Sequence, residues 1–241
     1  MLLYMQQTVR TSDTESLSEY MWNKTEAIRN KTLSSYFVQG IANGSLNPTA
    51  LGGYMVQDSV YCYEVKHSID ISVDRATDGE LKEYLRMKSA SYERYYKDLF
   101  NKWRIESPTG INLSKACESY VDYERKVAAT EDTIYMIVAM IPCMKLWPWL
   151  GQQVQSVNHG VYNVWFNDNF NPQFDGYKML DAFVDEAETN MRINRSKALQ
   201  VFTRCMQGEY EFFNSVQYTN LTITSLPVQE NVTSECNVLH K

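Results

Sequence analysis

The stretch LGGYMVQDSVYCYEV, residues 51–65, decides the secondary structure of this chain. Apolar side chains recur in it every three or four positions, which is the period of an α-helix with one buried face. They are Leu51, Tyr54, Met55, Tyr61, Cys62 and Val65. Asp58 falls on the same face. Because a buried carboxylate without a partner takes up a proton or costs stability, its position needs an explanation.

Glu209 repeats this pattern near the end of the chain. It lies in VFTRCMQGEYEFFNSV, residues 201–216, at helical spacing from four apolar side chains. These are Phe202, Met206, Phe212 and Phe213. Two acids on buried helix faces favour a polar ligand site. The alternatives are that Asp58 caps a neighbouring helix or pairs with a core arginine, and that Glu209 is half of a structural ion pair.

The remaining sequence keeps helical spacing and predicts an all-α protein of roughly eight elements. We expect a turn at residues 43–48 before the helix that carries Asp58. Ser114 is expected to cap a later helix, and Pro142 and Pro148 to kink the one after it. The other expected helices are a long one over residues 81–103, capped near Asp78, and three over residues 162–166, 172–190 and 195–216.

Composition indicates one domain with two polar ends. At 241 residues the chain is long enough to bury a core without disulfides or metals. We expect a polar extension over residues 1–15, a single helical domain over residues 16–217, and a tail over residues 218–241. The tail is rich in Thr, Asn, Ser and Val, which is typical of chain that lies on the surface or is disordered.

Charge and cysteine content narrow the class of partner. The net charge of -6 leaves no basic surface for nucleic acid, so a small molecule is the expected partner. No run of about eighteen apolar residues occurs, and we expect no membrane segment. The five cysteines are scattered and include no C-x-x-C pair, which indicates free thiols in a reducing compartment. These features predict a cytoplasmic protein.

Six short segments follow one another in the order found in a known family. They are SYFVQGIANGSL (35–46), YMVQDSVY (54–61), ACESYVDY (116–123), IPCMKLW (141–147), YNVWF (162–166) and EYEFF (209–213). Each is weak alone, whereas six in the right order are specific. Over about residues 20–216 the chain resembles the TenA/thiaminase II family. The resemblance implies a haem-oxygenase-like helical bundle that forms a homotetramer.

The resemblance also implies an activity and a set of site residues. Family members of the cysteine-bearing type hydrolyse an aminopyrimidine released by thiamin breakdown, and they cleave thiamin at the methylene between its two rings. By this resemblance Cys143 is the nucleophile and Glu209 the acid–base residue. The implied substrate-binding residues are Asp58, Tyr61, Tyr120, Trp147 and Tyr162. No cofactor is implied.

These residue types suit the implied chemistry. A thiolate at Cys143 adds to the electron-poor pyrimidine ring, and the leaving group then departs from the exocyclic methylene. Such a thiolate needs a helix terminus, a positive neighbour or a base, and Pro142 opens the helix beside it. Glu209 lies among phenylalanines that raise its pKa, and it moves a proton to and from a ring nitrogen. Asp58 hydrogen-bonds the amino group.

Two departures from the family pattern leave a second hypothesis open. Trp147 stands where the family typically has tyrosine, and the pair Phe212–Phe213 stands where it has Phe-Trp. Trp147 lacks a hydroxyl that would hydrogen-bond near the thiol. The protein is therefore either an aminopyrimidine hydrolase of thiamin salvage or a non-catalytic binder of a pyrimidine or related heterocycle in the same pocket.

Other haem-oxygenase-like bundles use metals or haem, and this sequence offers them little. A di-iron site would need paired Glu and His ligands, and no E-x-x-H motif occurs. A haem enzyme would need a proximal histidine on an early helix, for which His67 is the only candidate. We expect neither a metal site nor a cofactor. Packing roles are expected for Cys62, Cys117 and Cys205, and a core or interface role for Tyr92, Tyr95 and Tyr96.

Overall fold

The computed structural model describes residues 15–77, 79–155 and 158–215, and all regular structure within those ranges is helical. The α-helices are, in order, α1 (Leu17–Lys24), α2 (Glu26–Leu33), α3 (Tyr36–Ala42), α4 (Pro48–Arg75), α5 (Gly79–Trp103), α6 (Lys115–Thr130), α7 (Ile134–Gln153), α8 (Asn163–Asn169), α9 (Lys178–Thr189) and α10 (Arg195–Ser215). Two 3₁₀ turns, Pro108–Gly110 and Gly160–Tyr162, precede α6 and α8. The prediction of an all-α fold is confirmed. The expected cap at Asp78, the C-terminal tail and residues 1–14 of the expected extension lie outside the described residues.

Helix α4 begins where the sequence predicts. The side chain of Asn47 accepts a hydrogen bond from the backbone N–H of Thr49 at 2.8 Å, and Pro48 occupies the first helical position. Both features favour a helix start, because proline fixes a helical φ and needs no hydrogen-bond partner there. Helix α4 then packs against α5 and α6 along its length. Its buried face carries Asp58 and Tyr61 into the bundle.

The glutamine beside Asp58 ties α4 to the start of α6. The Gln57 amide donates to the carbonyl of Asn112 at 3.0 Å, and its oxygen accepts from the backbone N–H of Ser114 at 2.7 Å. Ser114 in turn caps α6, because its hydroxyl accepts from the N–H of Cys117 at 3.2 Å. This clamp fixes the register between α4 and α6, and with it the relative position of the site residues on both helices.

Helix α7 forms the centre of the bundle and runs without interruption through both prolines. Pro142 and Pro148 both lie inside the helix, as the sequence predicts, and each proline removes one helical hydrogen bond. The helix is long and apolar enough to cross a membrane, but 72% of its most apolar window is buried inside the structure. Burial of this kind is typical of a core helix. Helix α7 packs against α6, α9 and α10.

Two regions differ from the expected helix boundaries. Before Asn43 the chain forms three short helices, α1 to α3, separated by turns. Helix α9 begins at Lys178 rather than at Pro172, because the intervening chain forms turns stabilised by Asn171. The side chain of Asn171 accepts from the N–H of Gln173 at 3.0 Å, and its carbonyl accepts from the N–H of Phe174 at 3.1 Å.

Gly151 allows α7 to approach the end of α8. A Cβ atom at this position would lie 1.8 Å from the carbonyl oxygen of Phe170, which is backbone and cannot rotate away. Gly53 in α4 is the opposite case, since a Cβ there would meet nothing within 4 Å. The two glycines therefore have opposite steric requirements although both are helical.

We predict that Gly151→Ala lowers the free energy of unfolding by about 2–3 kcal/mol, because the added methyl group displaces the α8–α9 segment. Gly53→Ala, the matched control, should leave stability unchanged or raise it by up to about 1 kcal/mol, as expected for alanine in an open helical position. Urea unfolding followed by circular dichroism measures both. Equal effects of the two variants would contradict the close approach at Gly151.

Candidate active site

A cavity of about 370 Å³ opens between α4, α5, α7 and the segment that joins α8 to α9. This volume is in the range of small-molecule sites. The lining consists of Asp58, Tyr61, Cys62, Lys88, Ser91, Tyr92, Tyr95, Cys143, Met144, Trp147, Pro148, Asp168, Asn169, Asn171 and Phe174. Aromatic rings make up much of this wall, and they suit a flat heterocycle.

Asp58 stands in the α4 wall of the cavity without a protein partner. Its side chain is buried, yet it forms neither a hydrogen bond nor an ion pair with any other residue in the described part of the chain. The proposed alternatives, a cap on another helix or a pair with an arginine, are therefore not found there. A buried acid that faces a cavity with free oxygens is suited to bind hydrogen-bond donors of a ligand.

Cys143 faces the same cavity from α7. It is partly buried, and Glu209 and Tyr61 are near enough to act on the pKa of its thiol. Trp147, one helical turn later, lines the cavity beside it. The structure thus brings Asp58, Tyr61, Cys143 and Trp147 to one cavity from two helices.

Glu209 lies behind Cys143 rather than in the cavity wall. Its Oε1 accepts from the Tyr120 hydroxyl at 3.0 Å, and its Oε2 accepts from the Trp147 indole N–H at 3.2 Å. Glu209 forms no ion pair among the described residues, so the structural ion pair is not found either. Tyr120 is fully buried and acts here as a partner of Glu209 rather than as part of the lining.

Burial dominates the electrostatics of the acids. It raises the pKa of Asp58 to about 7, with a smaller contribution from the charge of Glu209. Burial also raises the pKa of Glu209 to about 7, although hydrogen bonds from Tyr120, Trp147 and Cys143 oppose the shift. The aromatic surroundings in the sequence predict this direction for Glu209. Both acids therefore exchange protons near neutral pH.

The same burial works against a free thiolate. It raises the pKa of Cys143 well above its ordinary value, and the charges of Glu209, Glu124 and Asp58 add to the shift. Only the contact with Tyr61 lowers it. Cys143 is therefore a thiol in the empty site, and its activation needs a base.

Several lining residues lie on α5, where the sequence predicts no site residue. Tyr92 and Tyr95 were expected in the core or at an interface, but they line the cavity, and only Tyr96 packs away from it, against Tyr63. Lys88 is the single cation in the lining formed by the described residues. Burial lowers the pKa of Lys88, and the nearby Cys143 opposes that shift. A cavity face and a core face have the same helical period, so the pattern could not separate them.

Two further residues lie elsewhere than expected. Tyr162 does not reach the cavity, because its hydroxyl donates to the backbone carbonyl of Leu46 and so holds the turn before α4. The same segment instead presents Asn169 to the cavity. Cys62, expected to be a packing residue, is a second thiol in the lining, while Cys117 and Cys205 are fully buried as expected.

A family model matches most of the chain. The TENA/THI-4/PQQC family model matches residues 22–220. The chain belongs to this family. A curated relative, the bifunctional TH2 protein, mitochondrial, of Arabidopsis thaliana, is 22% identical across 88% of this chain. This chain spans only 39% of that relative's length.

Solved structures of other TenA proteins share the fold. A TenA homologue from Pyrococcus furiosus superimposes with a TM-score of 0.70 at 15% identity, covering 83% of this chain and 100% of that one. A TenA family transcription regulator from Silicibacter gives 0.73 at 14% identity, covering 83% and 96%. A protein described as a TenA-like thiaminase from Sulfolobus solfataricus gives 0.64 at 19% identity, covering 82% and 94%. The helical bundle that the resemblance implied is confirmed.

The protonated state of Asp58 leads to a stability prediction for this TenA-family protein. The folded protein retains the proton up to about pH 7, whereas an unfolded chain releases it near 3.8. Stability contributed by this proton is therefore present at low pH and is lost as the pH rises through about 7. Asp58→Asn removes the burial of charge, so it should raise Tm at pH 8 by roughly 3 °C or more.

The same variant should change Tm little at pH 4, where the carboxyl is already neutral in the folded state. Asp98→Asn, on the exposed face of α5, serves as the matched control and should leave Tm unchanged at both pH values. Differential scanning fluorimetry from pH 4 to pH 8 gives the comparison. A loss of stability at pH 8 in Asp58→Asn would contradict a buried, partnerless carboxyl.

Proposed function

We propose that this protein is a hydrolase of the thiaminase II type, which removes the group attached to the exocyclic methylene of an aminopyrimidine. The observation that carries the proposal is the meeting of Asp58 and the Cys143 thiol in one aromatic cavity, where the lining residue Trp147 holds the carboxyl of Glu209. Membership of the TENA/THI-4/PQQC family supports a role in thiamin salvage. The substrates we propose are an aminomethylpyrimidine and thiamin.

Substrate binding places the ring between acid and thiol. Asp58 accepts hydrogen bonds from the amino group and, when protonated, donates to the neighbouring ring nitrogen. Trp147 and Tyr92 supply aromatic surface against the ring. A pyrimidine held in this way presents its unsubstituted ring carbon to the sulfur of Cys143, and fixed orientation of this kind lowers the barrier to addition.

Glu209 activates the thiol. Because the raised pKa holds Cys143 as a thiol, a base has to take its proton, and Glu209 is the carboxylate whose charge acts most strongly on it. The thiolate then adds to the ring carbon, and Glu209 passes the same proton to the ring nitrogen that receives the electron pair. The proton thus moves from sulfur to nitrogen through one carboxyl group.

The adduct then loses its leaving group and takes up water. With aromaticity broken, the electron pair of the ring amino group pushes the leaving group off the methylene and forms an exocyclic alkene. Water adds to the alkene and releases one proton. The ring nitrogen returns its proton to Glu209 as the carbon–sulfur bond breaks, and Cys143 recovers its thiol. The product is a hydroxymethylpyrimidine.

We predict that Cys143→Ser lowers turnover of both substrates by at least about 10³-fold, because a serine hydroxyl in this acidic setting is a much poorer nucleophile. Cys62→Ser is the matched control, since Cys62 is the other thiol in the lining. It should retain activity within about 10-fold. Product formation is followed by liquid chromatography, and a covalent pyrimidine adduct by intact mass after rapid acid quench.

The same experiment separates the enzyme from the binder. The raised pKa of the Cys143 thiol is the observation that favours a non-catalytic binder. Saturable binding of the pyrimidine with no product from the unaltered protein would establish that second function. Product that persists at full rate in Cys143→Ser would exclude the covalent route.

Trp147→Phe tests whether Glu209 is the base that takes the thiol proton. The variant removes the indole N–H that stabilises the Glu209 carboxylate, so the pKa of Glu209 should rise above about 7. Since the carboxylate form takes the thiol proton, the acid limb of the kcat/KM profile should move to higher pH by roughly 0.5–1 unit. Trp165→Phe is the control, because the Trp165 indole donates to Met55 sulfur at 3.2 Å and not to Glu209. An unchanged limb in Trp147→Phe would mean that Glu209 is not the titrating base.

We also propose that the protein is a cytoplasmic homotetramer that binds neither nucleic acid nor membranes. These parts of the proposal rest on charge, cysteine use and the family resemblance. Light scattering coupled to gel filtration measures the oligomeric state, and cell fractionation the location.

A further inference from the structure

A third buried acid, Glu124, lies behind the cavity and has no role in the chemistry above. It sits on α6, fully buried, and does not line the cavity. Its Oε1 accepts a hydrogen bond from the Tyr61 hydroxyl at 3.3 Å. Its Oε2 is buried and has no hydrogen-bond partner in the described part of the chain. A fully buried carboxyl with one contact and no ion pair among the described residues lowers stability, so its position calls for another role.

Tyr61 is the link between this acid and the cavity. Its ring lines the cavity from α4 and packs against Tyr120 with 5.0 Å between ring centroids. Its hydroxyl donates to Glu124, and Tyr61 shares the cavity lining with Cys143. A hydroxyl accepts one proton while it donates another, so it can pass a proton between Glu124 and the cavity. Among the charged groups nearby, Glu209 has the largest effect on the pKa of Glu124.

Burial is the largest effect on the proton of Glu124. It raises the pKa well above the ordinary value, and the charge of Glu209 adds to the shift, whereas the Tyr61 hydrogen bond opposes it. Burial therefore favours the protonated form of Glu124. A neutral acid next to a tyrosine hydroxyl can donate its proton to that hydroxyl.

The proposed reaction needs such a donor for one leaving group and not for the other. An aminomethyl group that is bound as the neutral amine would leave as an amide anion unless it gains a proton as the carbon–nitrogen bond breaks. The thiazolium of thiamin leaves as a neutral thiazole and needs no proton. Glu209 is not free to help at this step, because its proton is on the ring nitrogen.

We propose that Glu124 is a positioning residue that holds the proton which Tyr61 delivers to an amine leaving group. This inference rests on the proposed function. The O–H bond of Glu124 breaks as Tyr61 takes that proton, and the former O–H bond of Tyr61 breaks as the leaving nitrogen takes the other. Water that adds to the alkene later releases one proton, which returns through Tyr61 to Glu124. The protein is thereby restored without any other reactant.

Glu124→Gln tests this role by the choice of substrate. The variant keeps the shape and a hydrogen-bond acceptor for Tyr61 but cannot give up a proton. We expect kcat for aminomethylpyrimidine to fall about 10²-fold, within the range of general acid catalysis, and kcat for thiamin to change by less than about 3-fold. Glu118→Gln, the same substitution at an exposed position of α6, should change neither rate.

Tyr61→Phe provides the second variant, because it removes the link and leaves Glu124 in place. Its kcat for aminomethylpyrimidine should fall more than its kcat for thiamin. In the double variant, kcat for aminomethylpyrimidine should be no lower than in the single variants. If Glu124→Gln does not fold, the substrate preference of Tyr61→Phe decides the question. An equal fall for both substrates in the variant that folds overturns the inference, because a structural role would not distinguish leaving groups. Absence of turnover of either substrate by the unaltered protein would instead refute the proposed function.

Discussion

The hydrogen bonds to the buried carboxyl of Glu209 are the constraint on which the site depends. Tyr120 brings α6 to it, Trp147 brings α7, and Glu209 itself belongs to α10. Hydrogen bonds to a charged acceptor contribute about 1.5–3 kcal/mol each, which offsets part of the cost of burying this carboxylate. Gly208 makes the arrangement possible, because a Cβ there would lie 2.6 Å from the Tyr120 ring. The three helices are therefore held together by the same group that we propose as the base.

Burial limits how many of the acidic groups in and behind the cavity can be ionised at one time. Asp58, Glu124, Glu209 and the Cys143 thiol act on one another, and burial raises the pKa of every one of them. They cannot all be ionised together, since like charges in a medium of low dielectric constant repel strongly. The four groups therefore carry exchangeable protons and do not form a fixed negative charge. Such a site suits a substrate whose ring gains and loses protons during the reaction.

Much of the fold and part of the site could be predicted from the sequence. Helical spacing was sufficient for the long helices, because their buried faces repeat over many turns. The placement of Asp58 and Cys143 in one cavity followed from the acid on an apolar face and from the family motifs. Glu124 also carried a usable signal, since it lies one turn from Tyr120 on the buried face of α6.

Other parts of the site depend on tertiary contacts that no local pattern shows. The α5 face with Lys88 and Tyr92 has the period of a core face, and only the neighbouring helices leave a cavity in front of it. Tyr162 belongs to a family motif, yet its hydroxyl is taken by Leu46 from the preceding turn. Asn169 is exposed to the cavity because α8 starts after a 3₁₀ turn, which sets the rotation of the helix.

Trp147 differs from the family's tyrosine in the hydrogen bonds that its side chain can form near Glu209. An indole N–H donates but cannot accept, so Trp147 stabilises the carboxylate of Glu209 without passing a proton onward. The proton of Glu209 can then move toward Cys143, Tyr120 or a bound ring, whereas Tyr61 is the hydroxyl that joins the cavity to Glu124. The proposed reaction therefore has two separate proton routes, one for the nucleophile and one for the leaving group. Because Trp147 cannot relay a proton, the two routes draw on two different acids, Glu209 and Glu124.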